Sequence, residues 1–73
     1  MERHIYKVET EIGQSFLAVG NVLSNGRYLA NLVSKIDEQT YKEIQPFCLP
    51  LEKHELGVYI GTYEVIDYDG RES

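Results

Sequence analysis

The longest run without glycine or proline is Arg27–Gln45, fenced by Asn25-Gly26 in front and Pro46 behind. It is about a quarter of a 73-residue chain, so what it forms decides the architecture. Its apolar residues stand at Leu29, Leu32, Val33, Ile36 and Ile44, with Phe47 just beyond the end. Steps of three and four stack side chains along one face of a helix. Thr40 fills the one slot of that series where a further apolar residue is expected. Asn31, Lys35, Glu38, Gln39 and Lys42 make the opposite, polar face, and Glu38 precedes Lys42 by four in the favourable order. Ser24 or Asn25 can cap the start, and Pro46 disfavours helical geometry at the residue before it. Against the helix stand Gly26 in its first turn, and Arg27 and Glu43 at the wrong ends of its dipole. Asn25-Gly26 is also the strongest short-range signal for a β-hairpin turn. The spacing predicts one amphipathic helix; two strands, Tyr28–Ile36 and Thr40–Cys48, are the alternative.

The flanking segments read as strands. In His4–Ile12 the residues Tyr6, Val8, Thr10 and Ile12 alternate with Lys7, Glu9 and Glu11. Gly13-Gln14 fits a two-residue turn with glycine first, which pairs Val8 with Val19 and Thr10 with Leu17 of a second strand, Ser15–Leu23. That strand is apolar on both faces and is expected to be more central than the first. A helix over Gln14–Leu23 competes with it, but Gly20 and the valines oppose that. Pro46 and Pro50 bracket Phe47-Cys48-Leu49, an extended crossing segment expected to pack on the core. Leu51–Leu56 reads as an exposed polar loop. Gly57–Asp67 is the clearest strand, with Val58, Ile60, Thr62 and Glu64 alternating against Tyr59, Gly61, Tyr63 and Val65. Gly61 is placed to let a neighbouring aromatic lie across the backbone. Residues 69–73 read as a frayed tail.

Length allows one domain, residues 1–73, with a small core. An apolar fraction of 42% and six tyrosines argue for a folded chain. No apolar run of membrane-spanning length is present, and Met1-Glu2-Arg3-His4 does not open a secretory signal. The single Cys48 has no partner for an internal disulfide and sits in an apolar run, where a buried, inert thiol is expected. These features point to a reducing, cytoplasmic setting. The net charge of −5 is uneven: residues 37–73 carry nine acids against Lys42, Lys53 and Arg71. An acidic half repels phosphate backbones, which argues against nucleic acid as a partner.

No constellation of catalytic residues emerges. Glu52 and Glu55 flank His54, a pairing that can tune an imidazole, but a solvated polar loop is the favoured reading. His4, His54 and Cys48 lack paired metal-ligand spacing. Asp67-x-Asp69-Gly70 with Glu72 is too short to close a calcium loop. The glycines match no phosphate-cradling pattern. Tyr6, Tyr28, Tyr41, Tyr59, Tyr63 and Tyr68 suit the rim of a small core. Tyr59 and Tyr63, with the neighbouring acids Glu64 and Asp67, also suit a contact surface for a partner protein.

The sequence therefore predicts an α+β domain: an N-terminal hairpin, one central helix and a C-terminal strand. A five-stranded small barrel of the SH3-like kind is the alternative. The expected function is non-enzymatic, without cofactor or metal, through a protein–protein surface; self-association as a C2 dimer would add burial to so small a chain. Two further functions follow from the acidic half and from the barrel respectively. One is an inhibitor that occupies a basic nucleic-acid-binding groove of a partner; the other is a small-barrel nucleic-acid-binding module.

Overall fold

The computed structural model of the chain describes residues 2–45 and 47–68. It is built from strands β1 (Glu2–Thr10), β2 (Gly13–Val22), β3 (Tyr28–Asp37), β4 (Thr40–Glu43), β5 (Leu49–Leu51) and β6 (Val58–Ile66), with one 3-10 turn at Lys53–Glu55. The strands run β2-β1-β6-β4-β3-β5, and a further pairing of β2 with β3 closes five of them into a barrel. All barrel pairings are antiparallel except β4 with β6. β5 is an appendage on the edge of β3. Among the described residues no helix is long and apolar enough to cross a membrane. The tail expected over residues 69–73 lies outside the described residues.

The predicted central helix is overturned, and with it the α+β class. Arg27–Gln45 holds β3, a turn and β4, as in the barrel alternative. The cause is burial on both sides. Ala30, Asn31 and Val33 are all buried, and Tyr28, Leu29 and Leu32 partly so. A strand covered on both faces loses its alternation, and the remaining spacing imitates a helical face. Glu38 and Gln39 are the turn between β3 and β4, where the Gln39 amide donates to Asp37 Oδ1 at 2.8 Å. A short polar side chain offering the backbone that bond favours a turn over a helix.

The N-terminal hairpin forms, but in another register. Tyr6 faces Leu17 and His4 faces Val19, so the turn is Glu11-Ile12 and glycine follows it. Gly13 has φ 133°. The β2–β3 connection does the same: Gly26 N–H donates to Leu23 O, the Leu23 amide to Arg27 O, and Gly26 (φ 88°) closes the turn behind Ser24 and Asn25. Both glycines occupy the last turn position with a positive φ, which glycine adopts without steric cost. The N-terminal register is displaced by four residues, an even number, so each strand keeps its faces. β2 is no more central than β1, since in the closed barrel each pairs on both edges; its two apolar faces instead serve the two separate hydrophobic clusters.

Consecutive residues of β2 enter different cores. Ala18 joins Ile5, Val33, Tyr41 and Val65, a cluster drawn from all five barrel strands and therefore the barrel interior. Leu17 and Val19 join Ala30 and Leu56, with Tyr6, Val8, Tyr28, Leu32 and Leu51 packed around them. That second cluster is the outer face of β1–β2–β3, covered by the crossing segment that carries Leu51 and Leu56. Leu51–Leu56 is thus no exposed loop throughout: Leu56 is 1% exposed. Conversely Phe47, Cys48 and Leu49, expected on the core, are exposed. This crossing segment, a strap over the outer face, pairs with β3 through Leu49, Pro50 and Leu51, and only from Leu51 onward do its apolar side chains join the cluster.

Candidate interaction surface

Two of the four residues expected at a partner surface share the outer face of the barrel, and a β-bulge explains why. Thr62 and Glu64 lie opposite His4 and Glu2 of β1. Simple alternation from Thr62 would turn Ile60 outward and Tyr59 inward. The register instead shifts there: Gly61 pairs with Ile5 and Tyr59 with Tyr6, leaving Ile60 as the extra residue. Ile60 packs against the interior cluster, and Tyr59 is 50% exposed on the outside. Re-aiming a side chain in this way is a common use of a bulge near a functional surface.

Tyr59 is held in place once it reaches that face. Its ring lies 5.3 Å from Tyr6 and 5.6 Å, edge-on, from His4. Its hydroxyl is 3.2 Å from His4 Nδ1 and 3.1 Å from Thr62 Oγ1, and those two atoms are 3.2 Å apart. Glu2 and Glu64 sit across from each other on the adjoining step, and Ile66, 43% exposed, ends the row. Asp67 is exposed just past β6.

Tyr63 does not join them. It points inward, stacks edge-on against Tyr41 at 5.2 Å, and donates its hydroxyl to Ile60 O at 3.3 Å. Its ring lies over Gly61, whose missing side chain leaves room for it, as the sequence anticipated for an aromatic neighbour. Burial pushes the Tyr41 phenol above its ordinary value, and the neighbouring Tyr63 phenol adds to the rise.

One end of the barrel is polar. Arg3 Nη1 donates to Asn31 Oδ1 at 2.9 Å and pairs with Glu43 Oε2 at 3.3 Å; Glu43 Oε1 accepts the Tyr68 amide. Asn31 donates to the Phe47 carbonyl, and the Cys48 thiol donates to Asn31 Oδ1. Asn31 and Glu43 are buried, and their bonds fasten Phe47, Cys48 and, just past β6, Tyr68 to the barrel. This is the work of a structural plug, with its polar groups turned on one another. The sequence concealed it, because Arg3, Asn31 and Glu43 are far apart along the chain and only closure brings them together. Cys48 corrects the expectation of a buried thiol: it is exposed and touches an amide, not a base.

His54 and Glu52 line an open groove of about 750 Å³ with Lys53 and the turn residues Asn25, Gly26 and Arg27. Arg27 Nη2 lies 3.4 Å from Glu52 Oε2, and His54 Nδ1 3.7 Å from Glu52 Oε1. Glu55 is drawn into a capping box with Glu52 and does not face His54 as a second acid. Among the described residues no three His, Cys, Asp or Glu side chains gather to hold a metal. Asp69 and Glu72, weighed as calcium ligands, lie outside the described residues. Comparison with protein-family models, with curated proteins and with solved structures returns no match.

Proposed function

We propose that this chain is a small-barrel binding module, without chemistry of its own, that engages a partner protein through the outer face of β1 and β6. The observation that carries this reading is the bulge at Ile60, which gives up regular pairing and presents Tyr59 to solvent between His4, Tyr6 and Thr62. A ring already held in one orientation loses little freedom on binding, which is why tyrosine makes an effective anchor. The adjoining acids Glu2, Glu64 and Asp67 favour a partner that offers cations. The test is capture from the native host with wild-type bait and with Tyr59→Ala. A protein retained by the first and lost from the second supports the proposal; equal retention sinks it.

A nucleic-acid-binding module is the second reading, and the barrel raises it above its standing from sequence alone. Small barrels carry such interfaces on strand faces with exposed aromatic side chains. The net charge of −5 and the acids beside Tyr59 oppose it. A gel shift with single- and double-stranded probes at low salt separates the two readings, and no shift is expected.

A further inference from the structure

The groove between the β2–β3 turn and the 3-10 turn is a second site, unrelated to the β6 face. We infer that it binds a phosphate group, free or as the monoester of a small molecule. In a chain of net charge −5, Arg27, Lys53 and His54 converge there and meet a single acid, Glu52. That carboxylate is shared at long range, 3.4 Å from Arg27 and 3.7 Å from His54. Well-formed charge-assisted hydrogen bonds run to about 2.7–2.9 Å, so donors remain for an incoming anion. The lining side chains carry a surplus of one positive charge with His54 neutral and of two with it protonated, against which nearby Glu55, bonded to the Glu52 amide, sets one negative charge. A phosphate monoester, at about −1.5 to −2 near neutral pH, matches that surplus better than a monovalent carboxylate does.

Both walls are preformed. On one side the turn is fixed by Gly26 N–H to Leu23 O at 2.9 Å and by Arg27 N–H to Asn25 Oδ1 at 3.0 Å. Nothing lies within 4 Å of where a Gly26 side chain would begin, so that wall is bare backbone open to a ligand. On the other side the capping box fixes Glu52 and Glu55, and buried Leu56 anchors the segment. The Tyr28–Leu51 pairing holds the two walls together. The groove, about 750 Å³ and open to solvent, has room for a phosphate monoester.

The experiment is an amide chemical-shift titration of the full chain with inorganic phosphate, adenosine monophosphate and acetate, at ionic strength held constant with sodium chloride. Saturable shifts over residues 25–28 and 52–55 are expected with the two phosphates and not with acetate. Tighter binding of inorganic phosphate identifies the free ion as the ligand, and tighter binding of the nucleotide identifies an ester. Arg27→Ala and Lys53→Ala should each weaken binding roughly tenfold, while Lys35→Ala, away from the groove, leaves it unchanged. Glu52→Gln leaves in place the hydrogen bonds from the Glu52 amide to Glu55 Oε1 and from the Glu55 amide to the Glu52 carbonyl, removes the competing charge, and should tighten binding roughly fivefold. Absence of saturation, acetate binding as tight as phosphate, or Glu52→Gln binding no tighter than wild type would each overturn the inference. Retained dispersion of the amide spectrum shows that each variant is folded.

Discussion

Single residues fix points that no neighbour can replace. Gly57 has φ 86°, and a side chain there would begin 2.2 Å from the Lys7 carbonyl oxygen. It is where the strap turns into β6 against the backbone of β1. Gly57→Ala therefore combines a left-handed backbone with a collision and should cost more than about 2 kcal/mol in urea unfolding. Gly26→Ala, at φ 88° with open space, bears only the backbone strain and should cost about 1 kcal/mol. A similar loss at both positions would show that the close approach to Lys7 is not what matters. Tyr41, 2% exposed, makes a second prediction. Its phenol is held above the ordinary 10.0 when folded, so the unfolded chain gives up this proton at lower pH than the native one. Its contribution is fully present below pH 10.0 and is lost as pH rises through the folded value. Stability measured across that range should fall more steeply in wild type than in Tyr41→Phe.

Among the elements, β3 shows what local patterning conceals. Its inner face fills the barrel and its outer face lies under the strap, so its run of apolar residues obeyed no period of two. β1, with a face of charges, and β6, rich in β-branched and aromatic residues, were readable because their composition was one-sided or strand-like. The hairpin between β1 and β2 was readable in kind and in facing, but its turn was placed two residues late along the chain. The sequence showed a glycine, and only hydrogen bonding decides whether glycine opens a turn or ends it. The site was half legible for a related reason. Glu64 reaches the proposed surface by simple alternation and Tyr59 only because the Ile60 bulge turns it outward, whereas Tyr63, in regular pairing, stays on the inner face. The strap is the element that sequence undervalued. Leu56→Ala empties the centre of the outer core and should cost about 2–5 kcal/mol by chemical denaturation. A domain of this length has only about 4–11 kcal/mol to lose, so the variant gives up a large share of its stability and should melt well below wild type.

At the scale of the whole molecule, the barrel turns a short chain into two cores that share three strands. The strap covers the outer one, and the polar cluster of Arg3, Asn31 and Glu43 closes one end of the inner one. β6 is the closing stave: its far edge meets β4 and its near edge meets β1. Removing residues 58–73 should leave the interior residues Ile5 and Tyr41 uncovered and collapse the dispersion of the amide spectrum; a well-dispersed spectrum would show that the remaining five strands stand alone. The same pairing, between residues 2–7 and 58–64, has a kinetic meaning. Contacts so distant along the chain demand a large loss of chain entropy before they return any attraction, and topologies of this type fold in milliseconds to seconds. On the ribosome the edge of the first strand that meets β6 must therefore stay open until nearly the last of these residues has left the exit tunnel.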